Sequence, residues 1–296
     1  MRRSWIRSSR GSCGTIWNRE SIHNEKAAVL RLAVVAFVVL VLGVVMTMTG
    51  RGGGNFYVLT FVLAGAPMHE AATTGQFVLF ATALAAMFVF QKHKTVLLPL
   101  ALFMGVMTAA AAFAGGYFAY LFTGVTLKIV FSLLLVLAGI LMLLPIKEHT
   151  TKPDRSGGYW GVKTANSVYY INLWVTVPAV LGTGFCAGMV GVSGGSFLVP
   201  LMVLGCRVPV RLAVGTASIM VAATALSGFL GHALHGTFNP AWALPIAGVA
   251  VIGGILGGRI ALKTKPAYLK MLFALTTLVA AILMMLNALV SSRIAA

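Results

Sequence analysis

The sequence predicts an all-α integral membrane protein: two homologous repeats of about four transmembrane helices, each with a short broken or re-entrant helix after a Gly-rich turn. Three observations predict it. Of 296 residues, 59% are apolar and 9% charged, too little polar surface to cover a water-soluble fold, so lipid must be the solvent for much of the chain. Several apolar stretches reach about 20 residues, the length a helix rising about 1.5 Å per residue needs to cross about 30 Å of hydrocarbon. The second half of the chain also repeats the first at a nearly constant offset.

The repeat is visible at two places. LKIVFSLLLVLAGILMLL from Leu127 aligns without gaps to LKMLFALTTLVAAILMML from Leu269, and half of the positions are identical. Apolar helices resemble one another by composition, so this match needs a second. GRGGGNF at 50–56 lies over GVSGGSF at 191–197. Each is followed by an apolar run, by Pro67 or Pro209, and by AATT at 71–74 or AVGT at 213–216. Duplication is the economical explanation.

In order along the chain, residues 1–26 are rich in Arg and Ser and form a basic cytoplasmic tail. The first repeat, 27–146, carries apolar spans at 27–48, 71–91, 95–121 and 127–146. Residues 147–168, with Lys147, Glu148, Lys152, Pro153, Asp154 and Arg155, make a polar cytoplasmic linker. The second repeat, 169–290, carries spans at 169–190, 212–234, 240–262 and 267–289. Between the first two spans of each repeat lies a shorter apolar piece, 55–66 or 196–206, too short to cross as a helix. Eight crossings with both termini inside place Arg31, Lys92, Lys94, the linker and Arg293 on the cytoplasmic side, and Lys263 and Lys265 opposite. Five crossings per half, an inverted repeat, would instead put Lys92, Lys94 and the linker outside.

The 22 Lys and Arg against 5 Asp and Glu give a formal net charge of +17, concentrated in the tail and loops, which is a topology signal. No basic, aromatic-interleaved soluble face suggests nucleic acid. Cys13, Cys186 and Cys206 stand far apart, without a CxxC or a Cys/His cluster, so no metal, disulfide or cofactor is expected. No GxSxG, HExxH or Walker A pattern and no pair of membrane acids points to an enzyme.

The glycine clusters are the first candidate site. Gly52, Gly53 and Gly54, and Gly194 and Gly195, lie at membrane depth beside the short pieces. Glycine permits positive φ and frees backbone N–H groups that lipid cannot satisfy. Such groups at the start of a half-helix attract an anion, although close helix packing is the competing use of the same glycines. Asn55, Thr74, Gln76, Ser193, Ser196, Thr216 and Ser218 surround the clusters and offer hydroxyl or amide hydrogens to oxyanion oxygens. In membrane helices such hydroxyls also bond back to their own backbone. Arg51, inside the first cluster, is the preferred fixed positive charge, whereas Arg207 and Arg211 suit the interface. Glu70, beside His69 at the start of a span, is a candidate coupling acid or a carboxylate at a helix N-terminus. His232 and His235 close the sixth span, with His232 a gating candidate.

GVSGGSFLVPLMVLG at 191–205, followed by AVGTAS at 213–218, resembles the repeat signature of the TauE/SafE sulfite exporter family, and the resemblance extends over nearly the whole chain. In the first half, Leu59 stands where Pro200 sits in the second copy and AATTGQ at 71–76 replaces the AVGT form, while in the second half Ser193 takes a position usually given to glycine. The resemblance implies a secondary transporter of sulfite, an organosulfonate or a related anion, multi-pass in the cytoplasmic (inner) membrane. The expected mechanism is export by alternating access. The alternatives are an anion channel, an uptake permease for thiosulfate or another oxyanion, and a membrane assembly subunit that transports nothing. The expected partners are the small anion and lipid, with a homo-oligomer left open.

Overall fold

The structure is a computed structural model that describes residues 30–118, 124–143, 158–164, 167–190, 194–234 and 238–295. Helix α1, Leu30–Met48, is strongly apolar and ends where the chain turns through glycine. Gly50, Gly52 and Gly53 have φ of 75°, 70° and 91°, a left-handed region that costs an L side chain roughly 1–2 kcal/mol. The turn is tied back to α1 by the Gly50 amide on Thr47 and by the Arg51 amide and Thr49 hydroxyl on Met46. Helix α2, Gly54–Leu63, has 10 residues, so it rises about 15 Å, half of a bilayer core. Pro67 then opens α3, Met68–Lys92, followed by α4, Leu98–Phe118, and α5, Gly124–Leu143.

A two-stranded antiparallel hairpin follows, β1 (Tyr159–Thr164) and β2 (Ser167–Asn172). The hairpin is an addition to an otherwise helical chain, and it moves the start of the span expected at 169 to Leu173. Tyr, Trp and Val at alternating positions favour a pleated strand, and one face of the hairpin has a core to meet. Val162 and Ile171 are buried, and Trp160 packs on Phe103 of α4 with ring centroids 5.1 Å apart. Helix α6, Leu173–Val190, starts directly after β2.

The second short piece is α7, Gly195–Pro200, which continues as a π-helical turn, Leu201–Gly205. Proline at position 200 has no N–H to give the ladder, consistent with a wider turn at that point. Helices α8 (Val210–Ala233), α9 (Pro240–Lys263) and α10 (Pro266–Ala295) complete the chain, α9 being capped by the Asn239 side chain on the Ala241 amide. Helices therefore stand on all eight predicted spans and both short pieces. Six of them, α1, α3, α4, α8, α9 and α10, are long and apolar enough to cross a membrane, and the chain is a multi-pass membrane protein.

Helices from the two halves pack on each other. α3 lies against α8 and α9, α4 against α6 and α8, and α5 against α10. Backbones approach closely at small residues: Gly253 meets the Leu40 carbonyl and Gly43 of α1, and Gly184 of α6 meets Thr108 of α4. Large apolar side chains face outward, among them Phe37, Val106, Leu275, Ile282 and Leu286. In water such a surface would be a liability; against lipid it is the solvated face.

Candidate functional site

The two glycine clusters, far apart in sequence, touch. A β-carbon on Gly195 would lie 2.8 Å from the Gly50 carbonyl oxygen and 3.0 Å from Arg51 Cα. One on Gly50 would lie 3.0 Å from Val214 Cα of α8, and one on Gly52 would lie 2.5 Å from Leu79 of α3. Val221 of α8 reaches both clusters, 3.1 Å from such an atom on Gly52 and 2.8 Å from one on Gly195. The loop after α1 is thus wedged between α3 and α8, and the start of α7 lies against this loop and α8. The clusters differ locally, because Gly194 has φ −63°, and Gly195 is not among the residues with positive φ.

Arg51 stands at this contact and is 2% exposed. Its Nε donates to Ser196 Oγ at 2.9 Å, and its Nη1 donates to Thr277 Oγ1 at 2.9 Å and Thr276 Oγ1 at 3.4 Å. The guanidinium carbon lies 5.4 Å from the ring centroid of Phe273, a favourable cation–π distance. The threonines are set up to accept: Thr277 gives its own proton to the Phe273 carbonyl at 2.6 Å, and Thr276 gives its own to Leu272 at 2.7 Å. These hydroxyls orient the cation and carry no charge themselves. A guanidinium placed at bilayer depth costs at least about 2.5 kcal/mol on insertion scales.

Thr276, Thr277 and Phe273 were not among the expected site residues, yet the repeat contained a signal. In the alignment of the last spans, Thr276 and Thr277 stand over Leu134 and Leu135, while Arg51 stands over Val192. Arginine in one half and its two acceptors in the other replace apolar residues together.

Other expected residues fall in different surroundings. Thr216 accepts from the Leu97 amide at 3.0 Å, and Ser218 donates to the Gly215 carbonyl at 2.7 Å, so both hydroxyls serve the backbone. Thr74 and Gln76 are fully buried, and the Thr74 hydroxyl and both amide atoms of Gln76 lack hydrogen-bond partners. Gly54 opens α2 and Gly53 caps it. Glu70 accepts from Trp242 Nε1 of α9 at 2.9 Å, and Trp242 meets Phe61 of α2 edge-on with centroids 5.2 Å apart. His232 Nε2 lies 3.0 Å from the Gly188 carbonyl of α6. Arg211 donates to the Thr264 carbonyl at an exposed position. The side chains of Asn55 and His69, together with Ser193 and His235, lie outside the described residues. Among the described residues no three His, Cys, Asp or Glu side chains group as metal ligands.

Residues 35–284, spanning both glycine clusters, match the family described as Sulfite exporter TauE/SafE. The chain belongs to the TauE/SafE family. Two relatives of this TauE/SafE chain bear transporter names. A probable membrane transporter protein YunE of Bacillus subtilis (strain 168) is 25% identical over 240 residues, covering 76% of this chain and 87% of the relative. A probable membrane transporter protein of Xylella fastidiosa (strain 9a5c) is 27% identical over 210 residues, covering 70% and 75% respectively. No solved structure matches this TauE/SafE chain significantly.

Proposed function

We propose that the chain is a secondary transporter, working as an exporter, of a small sulfur oxyanion or organosulfonate across the cytoplasmic (inner) membrane. The anion binds between two repeats, where the glycine clusters meet, and is exposed to the two sides in alternation. Arg51 carries this reading. It is a buried guanidinium in a glycine turn, oriented by neutral hydroxyls of Ser196, Thr276 and Thr277. A buried cation at this crossing suits an anionic cargo, because opposite charges attract strongly where water is excluded. The α2 N-terminus opens at the same turn and adds the positive end of its dipole. The class of anion comes from the family's description, and the class of activity from its relatives' names.

Supporting the repeat is the pairing of corresponding helices, α3 with α8 and α5 with α10, and of α4 with α8 beside α9 with α3. In this reading Glu70, His69 and His232 are the candidates for a coupled proton. Glu70 bridges α3 to Trp242 of α9 beside the tip of α2, a place where charge can be felt by the half-helix.

Thermal stabilisation of the purified protein across a panel of sulfite, thiosulfate, sulfonates and chloride tests the proposal, because a ligand that binds only the folded state raises its stability. At least one sulfur anion is expected to stabilise the protein, and Arg51→Gln is expected to weaken that binding about 100-fold or more. Wild-type protein indifferent to the whole panel, or an Arg51→Gln protein that binds as tightly, rejects the site.

A further inference from the structure

Gln76 stands out within the helix interface. Its amide is fully buried, and neither Oε1 nor Nε2 has a hydrogen-bond partner. A primary amide can give two hydrogen bonds and accept through its oxygen, so leaving it unsatisfied in a membrane interior is costly. Helix α8 is nonetheless shaped to receive it. A β-carbon on Gly228 would lie 3.1 Å from Nε2 and 3.2 Å from the amide carbon, so the amide packs closely on the bare backbone of this glycine.

The same surface leads to the glycine clusters. Along α8, Val221 touches Gly52 and Gly195, Thr224 lies opposite Gly194, and Gly228 lies against Gln76. Positions three and seven residues apart share one helical face. Along α3, Leu79 meets Gly52, and Gln76 precedes it by about one turn, a rise of about 4.5 Å. The unpartnered amide therefore lies one turn of α3 from the residue that packs on Gly52, against the same face of α8 that meets both clusters.

We propose that the Gln76 amide is the discriminating contact of the anion site, and that the preferred substrate carries a hydrogen-bond donor, a hydroxyl or ammonium, besides its anionic group. This rests on the reading of the glycine crossing as the anion site. Arg51 can only donate, and it recognises negative charge whatever else the substrate bears. Gln76 adds a different demand. Nε2 can serve an anion oxygen, but Oε1 can only accept, so a substrate made of acceptor oxygens alone leaves Oε1 buried and unsatisfied. A substrate that also carries O–H or N–H satisfies both ends. A site built with a buried polar group of this kind rejects the analogue that lacks the partner. The Thr74 hydroxyl, also without a partner, can donate or accept and so makes no such distinction.

The test uses the full-length protein and two sulfonates of equal charge and nearly equal size, 2-hydroxyethanesulfonate and propane-1-sulfonate, which differ by a hydroxyl in place of a methyl. The wild type is expected to be half-stabilised by the hydroxylated anion at a concentration at least about tenfold lower. Gln76→Met is expected to bring that ratio to about one. Arg51→Gln should lose the response to both. Equal response of the wild type to the two sulfonates overturns the proposal without any variant, as does a ratio that survives in Gln76→Met. If both bind equally and need Arg51, the anion site stands and the role of Gln76 falls. If neither stabilises the wild type, this inference fails, while the anion reading stands or falls with the wider panel of sulfite, thiosulfate and chloride.

Discussion

At 50–54 the backbone turns through three glycines of positive φ and carries an arginine; at 194–195, the matching place in the second half, it is right-handed, and Gly195 lies flat against the Gly50 carbonyl and Val221. Two similar stretches of sequence are put to two uses. In the first copy glycine supplies a conformation that other residues resist; in the second it supplies the absence of a side chain where two backbones meet. The copies are also complementary, since the arginine of one is held by Ser196 of the other and by threonines of the last helix.

Substitutions sharpen this contrast. The largest effect is expected for Gly195→Leu, whose side chain would have to occupy the space of the Gly50 and Arg51 backbone. A loss of about 3 kcal/mol or more, or failure to recover folded protein, is expected in a detergent melt, and a melt like that of the wild type would show that the clusters do not touch. Next comes the link between copies. Thr277→Val should cost about 1.5–3 kcal/mol in the wild type and close to nothing beside Arg51→Met, a double-mutant cycle whose additivity would deny the bond. The smallest effects separate the two glycine uses most cleanly. Gly53→Ala forces a side chain to φ 91° and is expected to cost about 1–2 kcal/mol, whereas Gly194→Ala, at φ −63° with its nearest neighbour 3.5 Å away, should stay within about 0.5 kcal/mol. Equal costs at 53 and 194 would erase the distinction.

Much of the architecture was readable from the chain. Span length and apolar composition locate the helices to within a few residues, because lipid leaves the backbone almost no alternative to a helix. The duplication likewise points to Gly50–Gly54 and Gly194–Gly195 before any coordinates. The hairpin at 159–172 escaped because Trp160 and Val162 stand in a polar neighbourhood that reads as linker, while Ile171 reads as the start of the span at 169–190, until Phe103 is seen beneath Trp160. The threonines escaped for another reason. Thr276 and Thr277 sit in an apolar helix where hydroxyls ordinarily bond to their own backbone, and they do so here while also accepting from Arg51. Only the comparison with Leu134 and Leu135 marks them as special. Thr216 and Ser218, by contrast, looked equivalent to Ser196 by position, and the fold spends both on α8 and its neighbour's backbone.

The exchange of partners among helices has a mechanical consequence. α4 of the first half rests on α6 and α8 of the second, and α9 of the second rests on α3 and α1 of the first. The hairpin adds a strap, since Trp160 leans on α4 while the Leu173 amide at the head of α6 donates to the Gly158 carbonyl. The packing does not leave the two halves of the chain as separable bodies. A rocking motion that divided the protein at its linker would have to pull apart every one of these contacts. A motion that kept them intact would have to divide the protein across both halves rather than between them.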